Sequence, residues 1–117
     1  MLAIKRIYET PAAAAGLRVL VERLWPRGLT RERAAIDLWL KEVAPSPELR
    51  KWFGHYPQKW AEFRERYRTE LKAKPELLDQ LQAIAAGGSL TLVYAAHDQL
   101  HNSAVLLKEF LEESQCS

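Results

Sequence analysis

Two short segments, "LRVLVE" at 17–22 and "SLTLVYAA" at 89–96, have nearly continuous apolar centres, and they limit the fold more than any other feature of the chain. A strand with one solvated face alternates between apolar and polar residues. A strand that is apolar at successive positions must be covered on both faces, which calls for helices on either side of a sheet. The two segments therefore predict neighbouring or near-neighbouring central strands. "LAIKRIY" at 2–8 alternates at period two and predicts a strand with one buried face near a sheet edge. "IDLWLKEV" at 36–43 alternates as well and predicts another strand, with Asp37, Trp39 and Lys41 on one face.

Between these segments the helix signals are explicit. Ser46, Pro47 and Glu48 stand in the order N-cap, first-turn proline, first-turn acid, and Gly54 follows as a C′ residue, so a short helix is predicted over about 47–53. After Pro57, the residues Trp60, Phe63, Tyr67 and Leu71 recur at spacings of three and four and mark the buried stripe of a second helix. "PELLDQLQAIAAGG" opens on proline and closes on glycines, and "NSAVLLKEFLEES" supplies a last amphipathic helix. With 117 residues, the chain is near the usual size of one domain. The expectation is an α/β fold: a single compact domain over residues 1–117, with a small mixed or mostly parallel sheet of about four strands flanked by helices.

Several classes of protein are set aside by what the sequence lacks. No segment approaches the run of about 18 apolar residues that a membrane span needs, so a soluble protein with no membrane partner is expected. "MLAIKRIYE" does not resemble a signal peptide, and Cys116, the sole cysteine, has no internal disulfide partner; both point to a cytoplasmic home. His55, His97 and His101 do not form a zinc pattern, and no phosphate-binding glycine loop, dinucleotide fingerprint, nucleophile elbow or C-x-x-C occurs. Neither a metal nor another cofactor is expected.

The charge pattern says more than the net +2. Residues 1–74 hold 16 Lys and Arg against 9 Asp and Glu, whereas residues 75–117 hold 1 against 6, so a dipolar molecule is expected. All four tryptophans fall in the basic part, a combination that suits phosphates and flat rings and so admits nucleic acid as a partner. In an open α/β sheet, ligands bind beyond the carboxyl ends of the strands. Three motifs fall in such loops: "RLWPRG" at 23–28, "LRKWFGH" at 49–55 and "YAAHDQLHN" at 94–102. Arg23, Arg27 and Arg50 offer planar donor forks for an anion. His55, Asp98 and His101 are the residue types that move protons near neutral pH. Asp98 or Asn102 can equally serve only as a helix cap.

The motifs "GLRVLVERLWPRGL", "DLWLKEVAPS", "LRKWFGH", "FRERYRTEL" and "TLVYAAHDQLHNSAVLLKEFL" together resemble the YeaO-like family of bacterial proteins, a domain of unknown function, over nearly the whole chain. The resemblance implies a compact α/β domain and brings no reaction, substrate or cofactor. It also singles out Arg23, Trp25, Pro26, Arg27 and Gly28, then Trp39 and Lys41, Trp52 to His55, and Tyr94, Asp98, His101 and Asn102. The candidate substrate contacts are accordingly Arg23, Trp25, Arg27, Lys41, Arg50, Trp52, Tyr94 and Asn102. His97 stands where the family pattern leads one to expect Lys, and the Ala-rich stretch at 12–15 replaces a more polar one. Two readings follow: a small enzyme acting on a nucleotide-like or other anionic substrate through Arg anchors and His/Asp proton transfer, or a non-catalytic module binding nucleic acid or a regulatory partner. The arginines flanking the stiff Trp-Pro step are expected to face the same site as His55 and the 94–102 loop.

Overall fold

A computed structural model describes residues 2–9, 16–54, 56–96 and 101–115. Strands β1 (Leu2–Arg6), β2 (Leu17–Leu20), β3 (Leu38–Trp39) and β4 (Leu90–Tyr94) form one sheet in the order β1-β4-β2-β3. Every pairing is parallel; Leu17 lies opposite Leu90, and Val19 opposite Leu92. Helices α1 (Arg31–Ala34), α2 (Pro47–Phe53), α3 (Trp60–Lys72), α4 (Pro75–Gly87) and α5 (Ser103–Gln115) complete the described chain. The two apolar segments are thus the central neighbours β2 and β4, and β1 is an edge strand.

The two faces of the central pair are covered by unlike means. On one side, Val19 and Val21 of the β2 segment and Leu90, Leu92 and Tyr94 of β4 meet Leu49, Phe53, Phe63, Tyr67, Leu81, Leu107 and Leu111 from helices α2 to α5. On the other, Leu20 and Val93 meet Ile7, Ala34, Trp25 and Trp39, so the cover is the single turn of α1 and the irregular chain around it rather than a full helix. Trp25 and Trp39 cross edge to face at 5.5 Å, and their indole N–H groups donate to backbone oxygens, Trp25 to Leu29 at 2.8 Å and Trp39 to Glu22 at 2.6 Å. These bonds answer the polar end of each ring, so most of its surface can be buried.

Local signals held where they were local. The Ser46 Oγ accepts from the Leu49 N–H at 3.2 Å, Pro47 opens α2, and Gly54 closes it in the left-handed region at φ 55°. The strand read over 36–43 is shorter: only Leu38 and Trp39 pair with β2, and Lys41–Val43 form a 3₁₀ turn. An edge strand needs one neighbour only, and after Leu40 donates to the Leu20 carbonyl the chain turns away with Lys41 and Glu42 exposed. The Ala-rich stretch 11–15 and Cys116 lie outside the described residues.

Arg18 on β2 is buried, and its guanidinium donates to the carbonyls of Ala34 at 3.0 Å and Ala35 at 3.1 Å, the last acceptors of α1. Ala35 ends that turn at φ 52°. Asp37 takes the Arg18 backbone N–H at 2.8 Å, tying the start of β3 to β2. On the opposite layer, α3 and α5 are joined by two ion pairs one helical turn apart, Arg64 with Glu109 and Arg68 with Glu113, the second at 2.7 Å. Part of the basic first section is therefore neutralised by the acidic last helix, and the dipole expected from the sequence is reduced accordingly.

Replacing Arg18 by Met strands the α1 carbonyls and is expected to cost about 2 kcal/mol in urea-induced unfolding; an unchanged midpoint rejects the capping role. The Arg68 guanidinium holds the Glu113 carboxyl below its ordinary value of 4.5. A depressed folded value means that the pair stabilises fully above the ordinary pKa and loses its effect as pH falls through the lower one. In an NMR titration Glu113 is expected to protonate below 4.5 and to return to the ordinary range in Arg68→Ala.

Candidate functional site

After β2 the chain moves toward β3, whereas after β4 helix α5 packs back over β1 and β4. The carboxyl ends of β2 and β4 therefore diverge, and a crevice opens between them as the topology of an open parallel sheet requires. Its volume is about 240 Å³. Glu22 at the exit of β2 and Ala95 and Ala96 at the exit of β4 form its floor. The Ala95 N–H donates to Glu22 Oε1 at 3.2 Å, and the Ala96 carbonyl accepts from Arg6 Nε at 3.0 Å, so both strand exits are pinned. Pro45, Arg50 and Phe53 form one wall, Phe63 the back, and His101, Asn102 and Ser103 at the start of α5 the other wall. Phe53 and Phe63 stack at 4.3 Å with 27° between their planes. His101 meets the Trp60 ring edge-on at 5.1 Å. Asn102 is buried and its Oδ1 accepts from the Val105 N–H at 3.0 Å, so it caps α5 while lining the cleft.

Of the residues proposed from the sequence, the cleft gathers Arg50, His101 and Asn102. Arg50 is exposed, and among the described residues no hydrogen-bonding or ion-pairing partner engages its guanidinium. His55 and Asp98, with the neighbouring His97, lie outside the described residues. Tyr94 ends β4 within the main core, and Trp25 belongs to the opposite face of the sheet. Trp52 lies on the outer side of α2 with Lys59 Nζ at 5.0 Å and the Arg66 guanidinium at 4.4 Å from its ring centre. Lys41 is exposed with its ammonium 5.0 Å from the Trp39 ring. Arg27 is exposed, and its carbonyl accepts from the Tyr8 hydroxyl at 3.5 Å. Sequence reasoning missed Glu22 and Phe63. The first had a signal, an acid directly after an apolar strand at a predicted ligand edge; the second was read as core, which it also is.

The family model described as the inactive DUF488-N3 subclade matches residues 1–116. The chain belongs to that subclade. It is 41% identical over 107 residues to YeaO of Escherichia coli, an uncharacterised protein, covering 92% of this chain and 93% of the relative. An uncharacterised protein of Mycobacterium bovis is 35% identical over 108 residues, covering 92% of this chain and 91% of the relative. The YeaO-like resemblance read from the motifs is therefore family membership. No solved structure matches significantly.

In this YeaO-like chain Arg23 turns away from the cleft and holds the loop behind it. Its Nε donates to the Pro45 carbonyl at 2.9 Å and its Nη2 to that of Ala44 at 3.4 Å, with Glu42 at 3.7 Å. The adjoining groups are answered in turn: the Glu42 carbonyl accepts from Lys74, the Val43 carbonyl from the Tyr67 hydroxyl at 2.7 Å, and Glu70 accepts from both the Ser46 N–H and its hydroxyl at 2.8 and 2.6 Å. Burial, reinforced by Glu70, pushes the Tyr67 hydroxyl far up, so it stays protonated and remains a donor. Burial, with Arg23 nearby, lowers the Lys74 ammonium. Residues 42–46 are thus fixed before α2 begins by Arg23 from the segment after β2, by Tyr67 and Glu70 of α3, and by Lys74 just beyond α3. Arg23→Ala is expected to destabilise the fold by about 2 kcal/mol in chemical denaturation, and a neutral effect rejects this role.

Proposed function

We propose that this protein binds a small anionic molecule with a flat, apolar body in the cleft between β2 and β4, and does not turn it over. The observation that carries the reading is Arg50, an exposed guanidinium without an ion-pair partner among the described residues, at the mouth of a cleft backed by the stacked Phe53 and Phe63 rings. A guanidinium fork suits phosphate or carboxylate, and the rings suit a planar body. The description of the subclade as inactive favours binding over turnover. The α3–α5 ion pairs favour a small ligand over a polyanion, because they remove cations that a nucleic-acid surface would use. The use of a single cysteine suits a cytoplasmic role.

One observation supports the catalytic alternative: Glu22 and His101 share the cleft, and both residue types transfer protons. His55 and Asp98 remain its other proton-transfer candidates.

The test is a thermal-shift screen with planar phosphates and carboxylates, since a ligand at about a hundred times its Kd stabilises by about 2.7 kcal/mol. Arg50→Ala is expected to abolish the shift while changing the stability of the free protein by no more than about 0.5 kcal/mol. Mass spectrometry of the bound compound after prolonged incubation is expected to return it unaltered; product formation instead establishes an enzyme. If no planar anion shifts the melting temperature, the binding assignment falls.

A further inference from the structure

We infer that Arg18 holds a halide ion, at a site on the α1 layer of the sheet and apart from the cleft. The observation behind it is a buried guanidinium nitrogen that no acceptor meets: Arg18 is 4% exposed, and among the described residues its Nη1 is buried with no hydrogen-bond partner. The inference does not depend on the binding function proposed for the cleft, whose lining does not include Arg18.

Side chains alternate along a strand, so Arg18 projects from the same face of β2 as Leu20 and reaches the end of α1. A guanidinium is planar, with three nitrogens spread around one carbon. Nε and Nη2 share the edge that donates to the Ala35 carbonyl at 3.1 Å and the Ala34 carbonyl at 3.0 Å. Nη1 points away from that edge, and neither of its two N–H donors is met. The charge is unanswered as well. Both carbonyls are neutral, and among the described residues no carboxylate comes within ion-pair distance of the guanidinium. Asp37 acts on it from farther off, with Oδ2 accepting the Arg18 backbone N–H at 2.8 Å. Burial outweighs that help and lowers the guanidinium from its ordinary value, although an arginine remains charged in a protein.

These two deficits define the ligand. A buried charge lacking a counter-charge is costly, and so is a buried donor lacking an acceptor. A water at Nη1 accepts a hydrogen bond but leaves the charge as it was, whereas an anion answers both. The number of open donors then limits its size. Phosphate or sulfate brings several oxygens, each in need of a donor, to a place where one nitrogen is open within a layer built on Ile7, Leu20, Ala34 and Val93. A carboxylic acid has to bring its carbon body into the same buried place. A monatomic anion leaves no oxygen unmet, and of the halides chloride is the natural occupant and bromide its heavier probe.

Thermal unfolding of the full chain in sodium gluconate, with sodium bromide replacing it at constant ionic strength, tests the site. The melting temperature is expected to rise with bromide and to saturate, having gained about 5 °C at about ten times the Kd. Arg50→Ala is expected to keep the rise, because Arg50 belongs to the cleft, and Arg18→Met is expected to lose it. No rise, a rise that never saturates, or one that survives Arg18→Met overturns the inference. So does a rise that disappears in Arg50→Ala, which assigns the ion to the cleft. Where Arg18→Met fails to fold, crystals of the wild-type protein grown in bromide decide the matter. An anomalous peak within hydrogen-bonding distance of Arg18 Nη1 is expected there, and a water or a protein carbonyl in that position overturns the site.

Discussion

Parallel pairing between β2 and β4 is the constraint from which the rest of the architecture follows. Two hydrogen-bonded strands with apolar residues pointing both ways cannot tolerate water on either face. Four helices cover one face, and the chain leaving β2 has to fold back over the other. That is why "RLWPRG" is where it is: Trp25 turns back beneath the sheet to meet Leu20 and Val93, and Gly28 takes φ 79° as the chain reverses. The same pairing makes the two strand exits diverge, and the cleft is the space between them.

Much of this was legible because the signals were short-range. Ser46, Pro47 and Gly54 specify α2 through bonds and backbone angles within a few residues, and the alternation in 2–8 suffices to mark an edge strand. The end of β3 was less legible, because alternation persists through Lys41 although the partner strand does not. The candidate site was read by residue type, and type alone cannot tell what a guanidinium faces. Arg23 finds backbone carbonyls more than 20 residues away in sequence, whereas Arg50 on α2 faces the cleft. Glu22 was overlooked because an acid at a strand end looks like an ordinary solvated terminus until the neighbouring strand presents an N–H to it.

The distribution of charge carries a similar lesson. The excess of cations in residues 1–74 is a property of the linear chain, and folding brings α5 against α3 so that Glu109 and Glu113 meet Arg64 and Arg68. What the sequence presents as two oppositely charged sections becomes partly an internal pairing. Arg50 stays outside that pairing because it shares the cleft with the start of α5, whereas Glu109 and Glu113 lie farther along that helix.

The bonds around residues 42–46 have a consequence for recognition. Because carbonyls 42 to 45 and the first amide of the cap are already engaged, α2 cannot swing relative to α3 without breaking several contacts at once. The wall bearing Pro45, Arg50 and Phe53 is preorganised. Little conformational entropy remains to be lost at that wall when a ligand arrives, so selection there operates by exclusion of misfits from a fixed shape, with no lid required to close over the guest.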